Sequence, residues 1–573
     1  MKKEDLFGWA AAKGFRLEGL GETCNAAGCV HYNHLLGKFP QDGVFEKTER
    51  GSCFLDGYIV NKEDFVHDIN KTWKQVFVSA AFENLQLQLS KMRGGFCGYI
   101  FDAQNENLSF FTDQTSNKAI YYYVSNDGWI VSNSLFYIAE ILKHNDVKYH
   151  LDENAIKYML TYGYMIDDST FVREVHRLLP GCFARIENGK LNITRYHEIK
   201  PNVEKMSERE AVEQIDTAFR RAVIREFEKD REYGYRHLVD LSGGLDSRMV
   251  TWVAHEEGYT DQINVTYCRG GYADQKIAQQ IAKSLGHEYI YKSLDDAKWM
   301  FDVEEMTCRN NGAAVGLGMT GGNRLLQELN TDIYGIEHTG MVGDAILSTF
   351  YHDRDLSEGN PVFGLNQYSD MLHYEFDNKI LERYPTQEIF AIYTRGILGA
   401  QSSYITRQHY VETASPFLDV DFLETVMKIP FEYRNHHSIY LSWIAEKYPK
   451  AAEFGWEKWG GIKPKKNLIF VRKMKTTQRL IHQYGCRVLH RPDTDSMNPM
   501  DCWYTSCTGV REYLDTVFRE RIADERIEES LRRDMIKAYQ EGTFTEKSLV
   551  LTVLCAVNIF LSKKNSVKIA RIC

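Results

Sequence analysis

Residues 242–247, with the sequence SGGLDS, have the composition of a site that binds a polyphosphate together with a divalent cation. The two glycines let the backbone turn tightly and approach an anion, and the two serines add hydroxyl donors. The carboxylate of Asp246 repels a phosphate unless a metal ion lies between them. The motif therefore predicts a site for a magnesium-bound polyphosphate. The predicted binding residues here are Leu241, Ser242, Gly243, Gly244, Asp246 and Ser247.

The elements around this motif are typical of a βα unit. A short apolar run ends at the motif and another, from 249 to 254, begins after it. A loop of this kind lies at the carboxyl edge of a parallel sheet. A plain glycine-rich turn is the alternative, but the flanking strand and helix favour the binding loop. A second strand at 262–267 and a helix at 274–285 continue the alternation, which predicts a doubly wound parallel sheet.

A second apolar run, at 332–338, leads into another glycine turn, and this turn delivers Asp344. By itself this turn is weak evidence for a site, and the SGGLDS loop upstream of it strengthens that evidence.

The SGGLDS motif resembles the PP-loop of ATP pyrophosphatases, and in particular that of the asparagine synthetase-like enzymes. The turn at 339–344 is similar to the family's S-G-x-G-x-D-E turn. The resemblance implies ATP cleavage between the α and β phosphates to adenylate a substrate, with Asp246 and Asp344 as magnesium ligands. It also adds Val265, Thr339 and Gly340 to the nucleotide site.

The chain departs from this family pattern at two positions of the second turn. Ala345 stands where the family usually has glutamate, and Met341 stands where synthetases have an acid. Methionine cannot accept a proton, so the base for an incoming amine must be another residue or be absent. Glu337 and His338 are candidates, although ordinary polarity is the favoured interpretation of both. Asp274 is either the family's acidic residue or a helix cap, and both interpretations stay open.

Residues 1–195 contain many short strand patterns separated by turn signals. Residues 94–102 resemble the G-x-F-A-F-x-x-x-D strand of the glutaminase half of asparagine synthetases. Residues 161–181 resemble the segment that closes that half. The resemblance implies a four-layer αββα sandwich of the N-terminal nucleophile type.

The chemistry of a glutaminase is not evident in this half. Such an enzyme needs a cysteine directly after the initial methionine, because the thiol attacks the amide and the free amine acts as base. This chain has Lys2 there, and its first cysteine is Cys24. Asp56 replaces the asparagine of the substrate loop, and residues 112–115 replace the R-D-x-x-G pattern. We therefore expect that glutamine is not the nitrogen donor.

A lysine-bearing, glycine-rich loop at 456–466 lies where the family places the lysine that contacts the α-phosphate. An ammonium group suits the charge that develops in the acyl-adenylate. Lys463 is the first candidate for this catalytic role and Lys465 the second, and a solvated charge cluster is the alternative. The segment at 412–419 resembles the family's R-x-P-F-L-D stretch, in which Asp419 is expected to cap a helix.

Composition excludes several classes of function. The chain has 573 residues, a net charge of -10 and twelve cysteines without CxxC pairs. The negative net charge gives no indication of a basic surface that binds nucleic acid. The cysteine spacing favours reduced thiols. The apolar run near the C-terminus, about 549–557, is too short to span a membrane and is expected to be a buried helix. We therefore expect a cytoplasmic protein without a membrane partner.

The sequence thus predicts two domains: a degenerate glutaminase-like domain at 1–195 and an α/β ATP pyrophosphatase domain at 205–573 with a helical C-terminal part. The predicted function is an ATP- and Mg²⁺-dependent ligase that joins a small-molecule or peptide carboxylate to an amine, without glutaminase activity. β-lactam synthetases and the macrolactam-forming cyclases of lasso peptides are similar relatives. An ammonia-dependent synthetase and a nucleotide-binding pseudoenzyme scaffold are the alternatives.

Overall fold

The N-terminal half contains two stacked antiparallel sheets. The computed structural model describes residues 6–562 except 18, 69, 319, 349–366, 466–473, 475, 476, 479, 483 and 486–495. The strand order is β10-β8-β9-β1-β3-β2 in one sheet and β12-β11-β7-β6-β5-β4 in the other. These strands are β1 (Gly8–Lys13), β2 (Cys24–Ala26), β3 (Cys29–His34), β4 (Val44–Lys47), β5 (Gly51–Ile59), β6 (Gly94–Asp102), β7 (Asn107–Thr112), β8 (Tyr121–Ser125), β9 (Gly128–Ser132), β10 (His176–Arg177), β11 (Cys182–Glu187) and β12 (Lys190–Arg195).

The two sheets are the inner layers of an αββα sandwich, as predicted. Side chains of β6 alternate between two cores: Tyr99 and Phe101 pack between the sheets, and Phe96 and Ile100 pack under helices. This period of two, with both faces buried, explains why the strand is almost continuously apolar. The outer layers are α1 (Trp73–Ala81) and α2 (Leu85–Lys91) on one side, and α3 (Leu135–His144) and α4 (Glu153–Tyr162) on the other.

The C-terminal half is built on a parallel five-stranded sheet of order β15-β14-β13-β16-β17. The chain runs outward from β13 to β15 and then returns to place β16 on the other side of β13. This reversal makes the gap between β13 and β16 the topological switch point, where ligands bind in open α/β sheets. The strands are β13 (Arg236–Asp240), β14 (Gln262–Cys268), β15 (Glu288–Ser293), β16 (Tyr334–His338) and β17 (Glu412–Ala414).

Helices cover both faces of this sheet. The longest, α5 (Glu208–Tyr233), begins with a capping box, in which the side chains of Ser207 and Glu210 accept hydrogen bonds from each other's backbone amides. The next two are α6 (Asp246–Glu256) and α7 (Ala273–Leu285). The remaining described helices are Val303–Arg309, Thr320–Glu328, Gly343–Ser348, Gln387–Ala391, Ser402–Tyr404, Val420–Val426, Phe431–Arg434, Ser438–Lys447, Met500–Ser506, Thr508–Arg521, Glu529–Glu541 and Phe544–Leu561, with a π-helical segment at Ile392–Gln401.

The C-terminal helix, Phe544–Leu561, is a core element of the whole molecule. Its length and composition would allow it to cross a membrane, but 78% of its apolar window is buried inside the protein. Its side chains pack with those of α3 and α4 from the sandwich. The expectation of a buried helix is confirmed, but the expectation that the apolar run is too short to span a membrane was wrong, because the helix extends beyond that run. The two halves share one hydrophobic core.

A buried ion pair also joins the halves. Lys118, which follows β7, donates to Glu412 at 2.8 Å, and both side chains are more than nine-tenths buried. Asp56 lies 3.9 Å from the same ammonium group. Although burial opposes the charge, the Asp56 and Glu412 carboxylates raise the pKa of Lys118 above its usual range. Removal of one partner leaves an uncompensated charge in the interface.

We predict that Lys118→Met lowers the free energy of unfolding by about 3–5 kcal/mol, because Glu412 then stays buried without its cation. Thermal unfolding monitored by circular dichroism measures the change. Lys13→Met is the matched control, since Lys13 pairs with Glu106 at an exposed site, where ~1 kcal/mol or less is expected. Equal destabilisation by the two variants would contradict a role for Lys118 in joining the halves.

Candidate functional site

The loop of residues 242–247 is held in shape by its own hydroxyl groups. The hydroxyls of Ser242 and Ser247 are 2.9 Å apart, and the Ser242 amide donates to the Ser247 hydroxyl at 2.9 Å. The Gly244 amide donates to the Ser242 hydroxyl at 3.1 Å. The loop therefore closes over the N-terminus of α6, whose amides and positive dipole end favour an anion.

Two buried side chains fix the loop from behind. Asp274 accepts a hydrogen bond of 2.7 Å from the Gly243 amide. Burial, with the Glu457 carboxylate nearby, raises the pKa of Asp274 to about 6. The fully buried guanidinium of Arg248 donates to the carbonyls of Gly243, Ala451, Phe454 and Gly455. The helix-cap interpretation of Asp274 is wrong, because its side chain bonds the Gly243 amide and the helix has no side-chain cap bond, while the interpretation as the family's acidic residue stays a prediction.

The two predicted metal ligands lie together. The Asp344 amide donates to Asp246 Oδ2 at 3.0 Å, and the Tyr440 hydroxyl donates to Asp246 Oδ1 at 2.7 Å. Burial and the neighbouring Asp344 carboxylate raise the pKa of Asp246. Lys458 lies 3.4 Å from Asp344 Oδ2. A pair of carboxylates with so little opposing charge suits a hard divalent cation.

Close backbone approach makes this arrangement possible. A Cβ atom at Gly340 would lie 2.3 Å from the Ser247 nitrogen, and one at Gly343 would lie 2.8 Å from the Asp246 carboxyl carbon. Neither position accepts a side chain without movement of the turn. These glycines therefore allow the turn after β16 to pack directly on the first turn of α6.

A cavity of about 470 Å³ opens beside the two loops. This volume is in the range of sites for small molecules and nucleotides. Gly243 and Thr339 do not line it: Gly243 is tied to Asp274, and the Thr339 hydroxyl donates to the Ala414 carbonyl. Their roles, like those of the other site residues, stay predictions. The predicted binding residues on the cavity wall are Leu241, Ser242, Gly244, Asp246, Ser247, Val265 and Gly340.

The two predicted catalytic lysines do not contact these loops in the described structure. The Lys463 ammonium pairs with Glu453, and Lys465 is exposed. Lys458, which lies in the same glycine-rich segment, is 3.4 Å from the Asp344 carboxylate. The sequence identified the segment at 456–466. Which of its lysines faces Asp344 depends on the turn that the segment makes, and the spacing of the residues does not define that turn.

Three further residues of the site were not among the residues predicted from the sequence. Tyr440 comes from a helix far along the chain, and no motif marks it. Arg248 directly follows the loop motif, but an arginine in that position gives no hint that it is buried. Asp240 ends β13 and lines the cavity. Its acidic side chain in an otherwise buried strand was the signal that could have identified it.

Asp240 belongs to a buried charged cluster behind the cavity. Arg407 donates to Glu337 at 2.5 Å and to Asp240 at 3.2 Å. Burial raises the pKa of Glu337 well above its usual range, and Asp240 reinforces the effect. The rings of Tyr267 and Tyr404 lie about 5.0 and 4.8 Å from the guanidinium.

His338 lies on the opposite face of β16, away from this cluster. Its Nε2 is 2.9 Å from Asp230, which also lies 3.2 Å from His237. These three side chains have the types and spacing of metal ligands. Although burial opposes protonation, the hydrogen bond to Asp230 and the nearby Glu226 carboxylate raise the pKa of His338 to about 9. A protonated His338 accounts for this arrangement, because its Nε2 donates to Asp230, while the Glu226 carboxylate lies 3.6 Å from Nδ1, beyond hydrogen-bond distance.

Comparisons with known proteins agree with both halves of this description. Residues 71–197 match the family model of a glutamine amidotransferase domain, and residues 214–308 match that of asparagine synthase. Relatives from Mycobacterium bovis and Mycobacterium tuberculosis, provisionally named glutamine-hydrolyzing asparagine synthetases, are 22% identical over 224 residues. The chain is asparagine synthetase-like.

This asparagine synthetase-like chain is a distant relative of the proteins it matches. The alignment covers 38% of the chain and 34% of each mycobacterial relative, so it spans about a third of their length. A solved glutamine phosphoribosylpyrophosphate amidotransferase from B. subtilis covers 50% of the chain with 10% identity and a TM-score of 0.23. A regulatory enzyme of purine biosynthesis covers 51% with 9% identity and a TM-score of 0.24.

We predict that Gly340→Ala weakens binding of Mg²⁺-ATP about ten-fold or more, because the new methyl group forces the turn after β16 away from α6. Isothermal titration calorimetry measures the affinity. The matched control is Gly509→Ala, since Gly509 lies in a helix and no atom approaches its Cβ position within 4 Å. Unchanged affinity in Gly340→Ala would show that close packing of the two loops is not needed for the nucleotide.

Proposed function

We propose that this protein is an ATP-dependent ligase that forms an amide bond. In the proposed reaction, a substrate carboxylate is adenylated with release of pyrophosphate, and an amine then attacks the acyl-adenylate. The observation that carries the proposal is the apposition of Asp246 and Asp344 at the switch point, next to a cavity of nucleotide size. AMP-forming chemistry, magnesium and a cytoplasmic location are parts of this proposal.

The residues of the loop fit the leaving group of such a reaction. The N-terminus of α6 and the hydroxyls of Ser242 and Ser247 offer donors to the phosphates that leave. Mg²⁺ held by Asp246 and Asp344 would neutralise the charge of the pyrophosphate. Because Asp246 is buried, and burial disfavours its charged form, a bound cation stabilises the carboxylate in its working state.

The N-terminal half supports a nitrogen source other than glutamine. The cavity next to Phe7, Asp56 and Lys118 measures about 40 Å³, the space of one or two water molecules. The Lys118 ammonium in its wall is already paired with Glu412. Lys2, at the position expected for the nucleophile, lies outside the described residues. We therefore propose that the sandwich domain has a structural role and that the amine is a free substrate.

Processing to expose Cys24 as an N-terminal nucleophile is inconsistent with the fold. Cleavage before Cys24 would remove β1, which lies between β9 and β3 in the first sheet. The sheet would lose a central strand, and the core residues Trp9 and Ala10 would be lost with it. Cleavage that exposes an amine at Cys24 would therefore disrupt the domain to which Cys24 belongs.

The proposal predicts pyrophosphate release from ATP and Mg²⁺ when the correct carboxylate and amine are present, tested across a panel of both. Asp246→Asn and Asp344→Asn should each lower the rate about 10²-fold or more, because each removes charge from the metal site. Asp296→Asn is the matched control for Asp344, since the two side chains are 49% and 50% exposed.

A nucleotide-binding scaffold makes the opposite prediction for this assay. It would bind ATP, yet no member of the panel would raise pyrophosphate release above background, and Asp246→Asn would leave nucleotide binding unchanged. That pair of results would overturn the ligase proposal.

The proposed loss of glutaminase activity predicts that incubation with glutamine yields no glutamate above the background rate, with or without ATP. Enzymatic detection of glutamate measures this. Cys24→Ser should behave like the wild type, because Cys24 lies on an edge strand and not at the small cavity of the sandwich. Glutamate formation that disappears in Cys24→Ser would identify this thiol as a nucleophile and contradict the proposal.

A further inference from the structure

Asp240 is the acidic residue of the cavity that the proposed reaction does not yet use. It lies at the end of β13, two residues before the phosphate-binding loop, and its side chain is 12% exposed on the cavity wall. Asp246, which also lines the cavity, is assigned to the metal. Asp274 is bonded to the Gly243 amide, and Glu457 accepts from the Tyr272 hydroxyl. Asp240 is therefore an additional carboxylate at the cavity wall, where its Oδ1 is buried and its Oδ2 accepts from Arg407 and Tyr267.

The buried cluster around Asp240 carries an excess of negative charge. Two carboxylates, those of Asp240 and Glu337, share one guanidinium nitrogen of Arg407. Asp240 Oδ1 and Glu337 Oε2 have no hydrogen-bond partner among the described residues. Buried carboxylate oxygens without a partner are costly. The cluster is therefore completed by a cation or by a proton.

The residues around this cluster pack closely against it and hold its side chains in place. A Cβ atom at Gly322 would lie 1.4 Å from the Arg407 guanidinium, so only glycine lets the helix Thr320–Glu328 pack over the cluster. Tyr267 donates to Asp240 at 3.4 Å and stacks on Arg407 together with Tyr404. Both tyrosines also line the cavity. Arg407 thus holds the Asp240 carboxylate at the cavity wall.

An amine that attacks an acyl-adenylate must first lose a proton, since amines are cationic at neutral pH. Met341, in the turn beside the cavity, cannot take that proton. We infer that Asp240 binds the ammonium group of the incoming amine and accepts its proton, with Glu337 sharing that proton. The inference rests on the proposed ligase function and assigns a catalytic role to a residue outside both loop motifs.

The proposed step moves two protons and releases AMP. The ammonium group transfers one proton to a carboxylate oxygen of Asp240, which becomes a neutral acid. The free amine forms a C–N bond with the acyl carbon while the C–O bond to AMP breaks. AMP leaves as an anion, and the second nitrogen proton passes to solvent water. The neighbouring Glu337 carboxylate stabilises the added proton, because two adjacent carboxylates favour sharing one.

The cavity also indicates the class of amine. Other parts of its wall are apolar and come from Leu294, Trp299 and Leu317. Neither lysine nor arginine lines the cavity within the described part of the chain. An aliphatic primary amine on an apolar carrier therefore fits better than an amine that carries a carboxylate or a phosphate.

The decisive experiment compares two nitrogen nucleophiles in Asp240→Asn, with the carboxylate found in the pyrophosphate screen. Hydroxylamine is largely uncharged at neutral pH and needs no base, whereas ethylamine must lose a proton. We expect hydroxamate formation to stay within about two-fold of wild type and ethylamide formation to fall by about 10²-fold or more. Asp240→Glu, which restores a carboxylate, should recover part of the ethylamine reaction.

A binding measurement without turnover makes the test independent of the ligase proposal. In ligand-observed NMR without ATP, n-butylammonium should bind the wild type and lose about ten-fold or more of its affinity in Asp240→Asn. Neutral n-butanol should bind both proteins equally. If no carboxylate supports pyrophosphate release, the proposed function fails, and this measurement still decides whether Asp240 binds a cation.

Either of two results would overturn the inference. One is an equal loss of hydroxamate and ethylamide in Asp240→Asn while the protein still binds ATP, which would assign Asp240 to adenylation or to structure. The other is equal binding of n-butylammonium by wild type and Asp240→Asn. If Asp240→Asn does not fold, a ratio of ethylamide to hydroxamate in Asp240→Glu that falls below the wild-type ratio supports the inference, because moving the carboxylate affects only the nucleophile that needs a base, and an unchanged ratio contradicts it.

Discussion

The contact between the turn after β16 and the first turn of α6 is the constraint on which the site depends. A hydrogen bond of 3.0 Å from the Asp344 backbone amide to the Asp246 carboxylate joins the two carboxylate-bearing segments. Gly340 and Gly343 permit the approach. Without this contact, the parallel sheet would present two separate loops. With it, the sheet presents one site that can hold a divalent cation.

The elements behind the two loops hold them in this contact. The strand order places β13 and β16 side by side, so both loops emerge at the switch point. Arg248 and Asp274 fix the first loop, and Tyr440 holds the Asp246 carboxylate from a distant helix. The N-terminal sandwich packs against this half through a shared core and through Lys118, so it stabilises the half that carries the site.

Local sequence patterns predicted the fold well where periodicity and turn residues agree. The αββα sandwich, the doubly wound sheet and the helix-capping role of Asp419 are all present in the structure. The contacts of Asp274 and Tyr440, and the choice of Lys458 over Lys463 beside Asp344, could not be predicted. Each depends on which segments meet in three dimensions, and a single sequence contains no signal for that pairing when the residues lie far apart along the chain.

We propose that Asp246 and Asp344 form one metal site for the nucleotide. The affinity for ATP, measured by isothermal titration calorimetry with Mg²⁺ and again with excess EDTA, decides whether they do. ATP binding should weaken strongly when the metal is removed, because two carboxylates then face the phosphates without a cation. Equal affinity under both conditions would contradict it.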